Sequence, residues 1–367
     1  MRILLFGEYS NVHWTLAEGL KALGHEVVVV SNGDFWKDYP RDINLSRKPT
    51  TAGGMKYAAD LLRILPQLRG FDIVQIINPI FLDFKARLNG WVYSYLRKHN
   101  RRMVMCGFGM DYYWVKTCLT PGTFEYSDFN IGEKCRTNAD ALKEENDWIG
   151  TRKEKLNKHI AADCDAIVAG LYEYWRCYNP VYPEKTVFIP FPVKCSNHTH
   201  QSYEKGQRIK LFIGINKTRN EYKGTDIMLR AAQDIAARHR DRVELAVAES
   251  VSFDKYTRMM DGSDAILDQL YSYTPAMNAL QAMSKGIICI GGGEKENYEI
   301  LGEKDLRPII NVKPTYESVY HALERLVDNP ETIAPLQRQS IDYVRKHHDY
   351  MKVARQYENL YLRLIEK

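Results

Sequence analysis

The stretch from Asp264 to Glu299, DAILDQLYSYTPAMNALQAMSKGIICIGGGEKENYE, constrains the fold more than any other part of the chain. It reads as strand, helix, strand and loop. Ala265 to Leu267 is a short apolar run of the kind buried in a parallel strand. Met277, Leu280 and Met283 recur at helical spacing, and Gly286 follows where a left-handed helix cap is wanted. Ile287 to Ile290 is a second apolar strand, closed by Gly291-Gly292-Gly293. Open parallel sheets hold ligands outside the carboxyl ends of their strands, and glycines there let backbone approach a phosphate or a sugar closely. On pattern alone, the stretch also suits an ordinary βαβ unit.

The same alternation runs through the rest of the chain. Arg2 to Phe6 is a strand, Asn11 to Leu23 a helix and Glu26 to Val30 a second strand. No GxGxxG lies between Gly7 and the helix, which argues against a dinucleotide-dependent dehydrogenase. The loop from Gly7 to His13 sits at a strand's carboxyl end beside a helix N-terminus, a place for anions and hydroxyls. Asn11 and His13 are therefore candidates to face a substrate; the alternatives are a helix cap for Asn11 and a packing role for His13. Strands are expected at 72–77 and 102–105, with a helix at 83–98 between them. The second strand ends in Cys106-Gly107-Phe108-Gly109-Met110-Asp111, a glycine-rich end with one carboxylate. Asp111 is either a substrate contact or a local cap. From Tyr112 to Asn138 the pattern is irregular and suggests a long insertion forming a wall beside Asp111. The run 139–162 reads as one charged helix whose Lys153, Lys155 and Lys158 form a solvated face. A polar linker covers 193–208, where His198 and His200 are discounted as loop residues.

After Ile209 to Ile213 comes Gly214-Ile215-Asn216-Lys217-Thr218-Arg219-Asn220-Glu221-Tyr222-Lys223-Gly224. Basic groups between a strand end and a helix N-terminus suit a diphosphate, which Arg meets with a planar fork and Lys with a point charge. The chain's 367 residues suffice for two domains with real cores. A net charge of +5 suits an anionic nucleotide or weak attraction to an acidic membrane surface, and is too small to argue for nucleic acid. The seven cysteines form no CxxC pair and read as reduced thiols of a cytoplasmic protein. No run of 18 apolar residues is present, and the N-terminus lacks the pattern of a signal peptide.

The stretch 264–299 resembles the donor-binding segment of family 4 glycosyltransferases, which have the GT-B fold. Asp264 takes the family's strand Asp, Gln281-Ala282-Met283-Ser284 takes Glu-Ala-Met-Ala, Gly286 takes the helix-ending Gly and Glu299 takes the final Glu. The departures are Tyr273 and Gln281, which stand where the family has its Glu-x7-Glu pair. Lys223-Gly224 matches the family's Lys-Gly before a helix, and Arg219, or alternatively Lys217, matches the basic residue ahead of it.

The resemblance implies two doubly wound Rossmann-like α/β domains facing across a cleft. The acceptor-side domain would cover 1–192 and be rejoined by a helix at about 348–367. The donor-binding domain would cover 209–347. The implied activity is transfer of a sugar, with retention, from a nucleotide-sugar donor to a glycan or lipid-linked acceptor, as in surface polysaccharide assembly. Gly214, Lys217, Arg219, Lys223, Gly224, Tyr273, Gln281 and Glu299 would bind the donor, with Arg219 and Lys223 also stabilising the leaving diphosphate. Asp111 and His13 would line the reaction centre, and Asn11 and Tyr112 the acceptor side. No cofactor and no metal are implied, because two cations take the metal's place. The alternatives are a nucleotide- or partner-binding subunit without transfer, and a nucleotide-sugar epimerase.

Overall fold

A computed structural model describes residues 1–195, 202–204, 206–215 and 220–366. In chain order, the first half contains β1 (Arg2–Phe6), α1 (Val12–Ala22), β2 (Glu26–Ser31), β3 (Ile43–Asn44), α2 (Thr51–Ile64), β4 (Ile73–Ile76), α3 (Ala86–His99) and β5 (Arg102–Cys106). It continues through α4 (Tyr112–Cys118), β6 (Asn130–Ile131), β7 (Lys134–Cys135), α5 (Ala139–Trp148), α6 (Arg152–Asp163), β8 (Ala166–Ala169), α7 (Tyr172–Tyr178) and β9 (Thr186–Phe188). The second half contains β10 (Ile209–Ile215), α8 (Asn220–Lys223), α9 (Thr225–Arg238), β11 (Val243–Glu249), α10 (Phe253–Met260), β12 (Ala265–Leu267), α11 (Met277–Ser284) and β13 (Ile288–Gly291). It ends with α12 (Lys295–Leu301), β14 (Ile310–Asn311), α13 (Tyr316–Asp328), α14 (Ile333–His347) and α15 (Tyr350–Glu366). The chain divides into two compact units, one of Met1–Thr117, Glu144–Pro192 and Tyr350–Lys367, the other of Cys118–Lys143 and Val193–Asp349.

The first unit is built on a seven-stranded parallel sheet in the order β3-β2-β1-β4-β5-β8-β9. Its strand order reverses between β1 and β4, the switch point where such sheets take ligands. β4 is buried at every position, Gln75 included. α15 packs on α1 and buries Tyr357 and Tyr361 completely. One local expectation changes here. The charged run 139–162 is two helices, because Gly150 takes φ +72° and Thr151 caps α6 by accepting from the Lys153 amide at 3.1 Å. α2, in a stretch without an expectation from sequence, buries Tyr57, Leu61 and Ile64 at helical spacing behind a Thr50 cap.

The second unit has a five-stranded parallel sheet in the order β11-β10-β12-β13-β14, with its switch point between β10 and β12. Ile266, Leu267, Ile288 and Ile290 are buried between helix layers, as the opening stretch requires. Gly286 ends α11 at φ +78°.

The irregular run 112–138 is expected on the acceptor side, within the boundary 1–192, but most of it belongs to the segment 118–143. That segment packs instead with the second unit. Its aromatic side chains find their apolar partners there: Phe124 and Tyr126 pack on Tyr273, and Phe129 packs on Tyr222.

Candidate functional site

In the second unit, polar groups gather at the switch point. Asp268 directly follows β12, and its Oδ1 accepts from Asn278 Nδ2 at 3.0 Å. Asn278 lies in the first turn of α11 and also accepts from the Tyr256 hydroxyl at 2.9 Å. Burial pushes the Asp268 carboxyl up, against the pull of Asn278 and of the nearby Lys223 charge. Lys223 is half-buried at the end of α8, and its carbonyl accepts from the Leu270 amide at 3.1 Å, which ties it to the loop after β12. Gln281 lies one turn beyond Asn278. It is half-buried, and its amide makes no hydrogen bond among the described residues. This edge of the sheet therefore combines a carboxylate, a cation and an uncommitted amide. Lys217 and Arg219 lie outside the described residues.

The glycines have different reasons from those expected. A side chain at Gly214 would run into the Tyr256 ring, and one at Gly292 into the Ser272 carbonyl. Both glycines admit close neighbours from the protein itself. Gly224 takes φ +70° at the N-cap of α9, which only glycine does readily. Glu299 does not reach the strand end. α12 begins right after Glu294, so Glu299 lies at its far end, exposed. The carboxylate at the end of β13 is Glu294.

Segment 118–143 lies over these strand ends as a strap. The Tyr126 hydroxyl donates to Glu294 at 2.5 Å, and Lys313 bridges Glu294 and Glu125 at 3.0 Å each. Burial pushes the Glu294 carboxyl up, but the hydrogen bonds of Tyr126, Asn311 and Lys313 outweigh it and hold it below its ordinary range. Tyr273, in the place of the family's first Glu, accepts from the Glu125 amide at 2.8 Å while its ring packs 4.9 Å from that of Tyr126. Arg136 donates to the carbonyls of Glu221 and Tyr222 at 2.5 and 3.0 Å, with its guanidinium 3.7 Å from the centre of the Tyr271 ring. The strap is thus fastened to α8 and to the loops after β12, β13 and β14. Sequence reading missed Asp268, Asn278, Glu294, Lys313 and Arg136. Asp268 had a usable signal, as the first polar residue after a buried strand.

In the first unit, the proposed reaction-centre residues serve the fold. His13 is fully buried. Its Nδ1 donates to the Gly7 carbonyl at 2.8 Å, the Gln75 amide donates to Nε2 at 3.1 Å, and Tyr361 donates to Gln75 at 2.8 Å. Burial lowers the imidazole to about 4, against the pull of the Gly7 carbonyl, so the ring is neutral. Asp111 is equally enclosed. Its Oδ1 caps α4 by accepting from the Trp114 amide at 2.8 Å, and its Oδ2 accepts from the Tyr178 hydroxyl at 2.6 Å. Burial raises this carboxyl to about 6 although both bonds lower it. Neither group has an atom to spare for a substrate.

Glu8, which sequence reading passed over, caps α1 through the His13 and Trp14 amides at 3.1 and 2.8 Å. Burial lifts it to about 8. Asn11 therefore makes no cap bond; it sits at φ 67° with its Oδ1 buried and unpartnered. Tyr112 is half-buried, opens α4 and lies under Lys158, whose ammonium is 4.5 Å from the ring centre.

Solved structures give this architecture a class. The chain is similar over 100% of its length to sucrose-phosphate synthase from Thermosynechococcus elongatus, with 99% of that chain covered, 14% identity and a TM-score of 0.63. It is similar to Anabaena HepE in complex with UDP-glucose, with 12% identity, 98% and 99% of the two chains covered and a TM-score of 0.60. It is also similar to a putative UDP-N-acetylglucosamine 2-epimerase from Listeria monocytogenes, with 12% identity, 97% and 94% covered and a TM-score of 0.54. The chain has the GT-B fold: mixed α/β, with a parallel sheet in each of two domains. No protein-family model matches the chain, and no curated protein matches it by sequence. No helix among the described residues is long and apolar enough to cross a membrane.

Proposed function

We propose that this protein is a metal-independent, retaining glycosyltransferase that takes a nucleotide sugar on its second unit. The observation that carries this reading is the cluster of Asp268, Lys223, Asn278 and the uncommitted Gln281 amide at the switch point of the second sheet. In transfer, the sugar's anomeric carbon leaves the diphosphate oxygen and bonds an acceptor hydroxyl, whose proton departs with the nucleoside diphosphate. Lys223, with Arg219 and Lys217, offsets the charge that grows on the leaving diphosphate, so cations serve where other enzymes use a metal. Gln281 meets the ribose as donor and acceptor without charge. UDP is the first nucleotide to test, because HepE is a UDP-glucose complex. A glycan or lipid-linked acceptor is taken up by the first unit, where Asn11 offers an unused carbonyl oxygen. Polysaccharide or glycoconjugate assembly at the cytoplasmic face of a membrane fits the mild positive charge.

One observation favours a second reading, a subunit that binds a nucleotide without transferring sugar. Tyr273 replaces the family's sugar-contacting Glu, and both its hydroxyl and its ring are engaged by the strap. A thermal-shift and hydrolysis screen against UDP-, GDP-, ADP-, CMP- and dTDP-sugars separates the two. Transfer predicts stabilisation by one donor with slow release of its nucleotide. Stabilisation without turnover, even with acceptors added, supports the binding subunit. Conversion of the donor to its epimer identifies an epimerase.

A further inference from the structure

The first unit carries a basic groove between α3 and α6. α3 and α6 pack side by side, and Gly90 brings α3 close to α6, since a Cβ there would lie 3.2 Å from Leu156. Over this contact opens a groove of about 410 Å³ lined by Arg87, Gly90, Arg152, Lys155, Leu156 and His159. Arg152, Lys155 and His159 fall at helical spacing on one face of α6, and Arg87 lies across from them in the first turn of α3.

Neither α3 nor α6 sets an unpaired carboxylate against this charge. α3 has no acidic residue. On α6, Glu154 is taken by Lys158 and the Gly150 amide at 2.6 and 2.7 Å, and Asp163 by the Tyr93 hydroxyl at 2.6 Å. Among the described residues, Arg87, Arg152 and Lys155 form no ion pair. Their neighbours behave differently: Lys153 pairs with Asp147 and Lys158 with Glu154. Crowded cations without counter-charge repel one another unless an anion joins them. The groove also holds Ala86, the first residue of α3, where Lys85 at the N-cap supplies no side-chain acceptor; the N-terminus of α6 is already capped by Thr151. Helix N-termini favour anions through their unpaired amides and their dipole.

We propose that the groove between α3 and α6 binds a phosphate ester, with Arg87 and Arg152 gripping its oxygens and Lys155 and His159 closing around it. Either a soluble phosphorylated compound or the headgroup of an anionic lipid supplies this chemistry. The proposal stands apart from the donor reading, because the groove lies wholly within the first unit.

The test is calorimetric titration of the full chain with inorganic pyrophosphate, alongside co-sedimentation with vesicles of phosphatidylcholine alone or with added phosphatidylglycerol. The comparison protein is the double variant Arg87→Glu/Arg152→Glu, both positions being exposed. Lys223→Ala serves as the control, because pyrophosphate also suits the proposed donor site. The expected result is a binding component that survives Lys223→Ala, weakens at least tenfold in the double variant, and shifts the His159 ring resonances. Vesicle binding that depends on phosphatidylglycerol and fails in the double variant assigns the lipid source; pyrophosphate binding alone assigns a soluble ligand. Absence of both, or equal binding by a double variant with an unchanged melting temperature, overturns the proposal.

Discussion

The strand ends of the two sheets carry similar numbers of polar residues and use them in opposite ways. In the first unit, Glu8, His13 and Asp111 are all but fully buried, and their hydrogen bonds close on helix N-termini or core partners. In the second unit, Lys223, Asp268 and Gln281 are only half-buried, and Gln281 keeps its amide uncommitted. A shifted acid or base at a strand end is therefore not by itself a catalytic group. Asp111 and His13 are displaced by burial that also seals them off, and burial with complete internal satisfaction marks a structural role.

The largest expected effect comes from breaking the first side of this contrast. Asp111→Ala removes a helix cap and strands the buried Tyr178 hydroxyl, for a loss of about 3 kcal/mol of stability in denaturant unfolding. A stable but inactive Asp111→Ala protein would return Asp111 to the reaction centre.

Next comes Glu8. Its folded pKa of about 8 lies above the ordinary 4.5, so the folded state holds its proton more tightly. The stability this gives is complete below pH 4.5 and fades as the pH rises toward 8, by about 2 kcal/mol or more. Glu8→Gln should flatten that part of the pH–stability curve, and an unchanged slope would place the titration elsewhere.

Tyr126→Phe sharpens the other side. It removes a charge-assisted bond to Glu294, which should cost about 1–2 kcal/mol and speed proteolytic cleavage within 118–143. Unchanged proteolysis would mean that the strap is held by its aromatic packing alone. The smallest effect is expected at Glu299→Ala, within about 0.5 kcal/mol in stability and without change in nucleotide affinity, as befits an exposed side chain. A marked loss of nucleotide binding would restore it to the site.

The contrast also marks what sequence could convey. Buried parallel strands announce themselves as apolar runs, so β12, β13 and the Gly286 cap were legible, as was the helix after Lys223-Gly224. The GT-B architecture was implied by the resemblance of 264–299 to family 4 glycosyltransferases, not by those elements alone. The break at Gly150 was not legible, because the charged residues on either side of it favour helix alike and it is the left-handed backbone of Gly150 that separates α5 from α6.

The site was legible only as a region. Position in the sequence located the end of β12, but whether a side chain is spent inside the fold depends on partners far along the chain. Tyr361 reaches Gln75 across 286 positions, and Tyr126 reaches Glu294 across 168. For the same reason Lys153, Lys155 and Lys158 looked alike as a solvated face, although two of them are paired and one lines a groove. Glu299 was placed by spacing from a motif, and an error of five positions along a helix moves a carboxylate by about 7.5 Å.

Nucleoside diphosphate binding at the second unit's switch point depends, on the proposed reading, on Lys223. Its most direct test is calorimetric titration of UDP into the wild-type protein and into Lys223→Ala, with the folded state of each checked by thermal melting. The account predicts saturable one-site binding that weakens ten- to a hundredfold in the variant, the worth of a charge-assisted contact of about 1.5–3 kcal/mol. Equal affinity in the two folded proteins would contradict it.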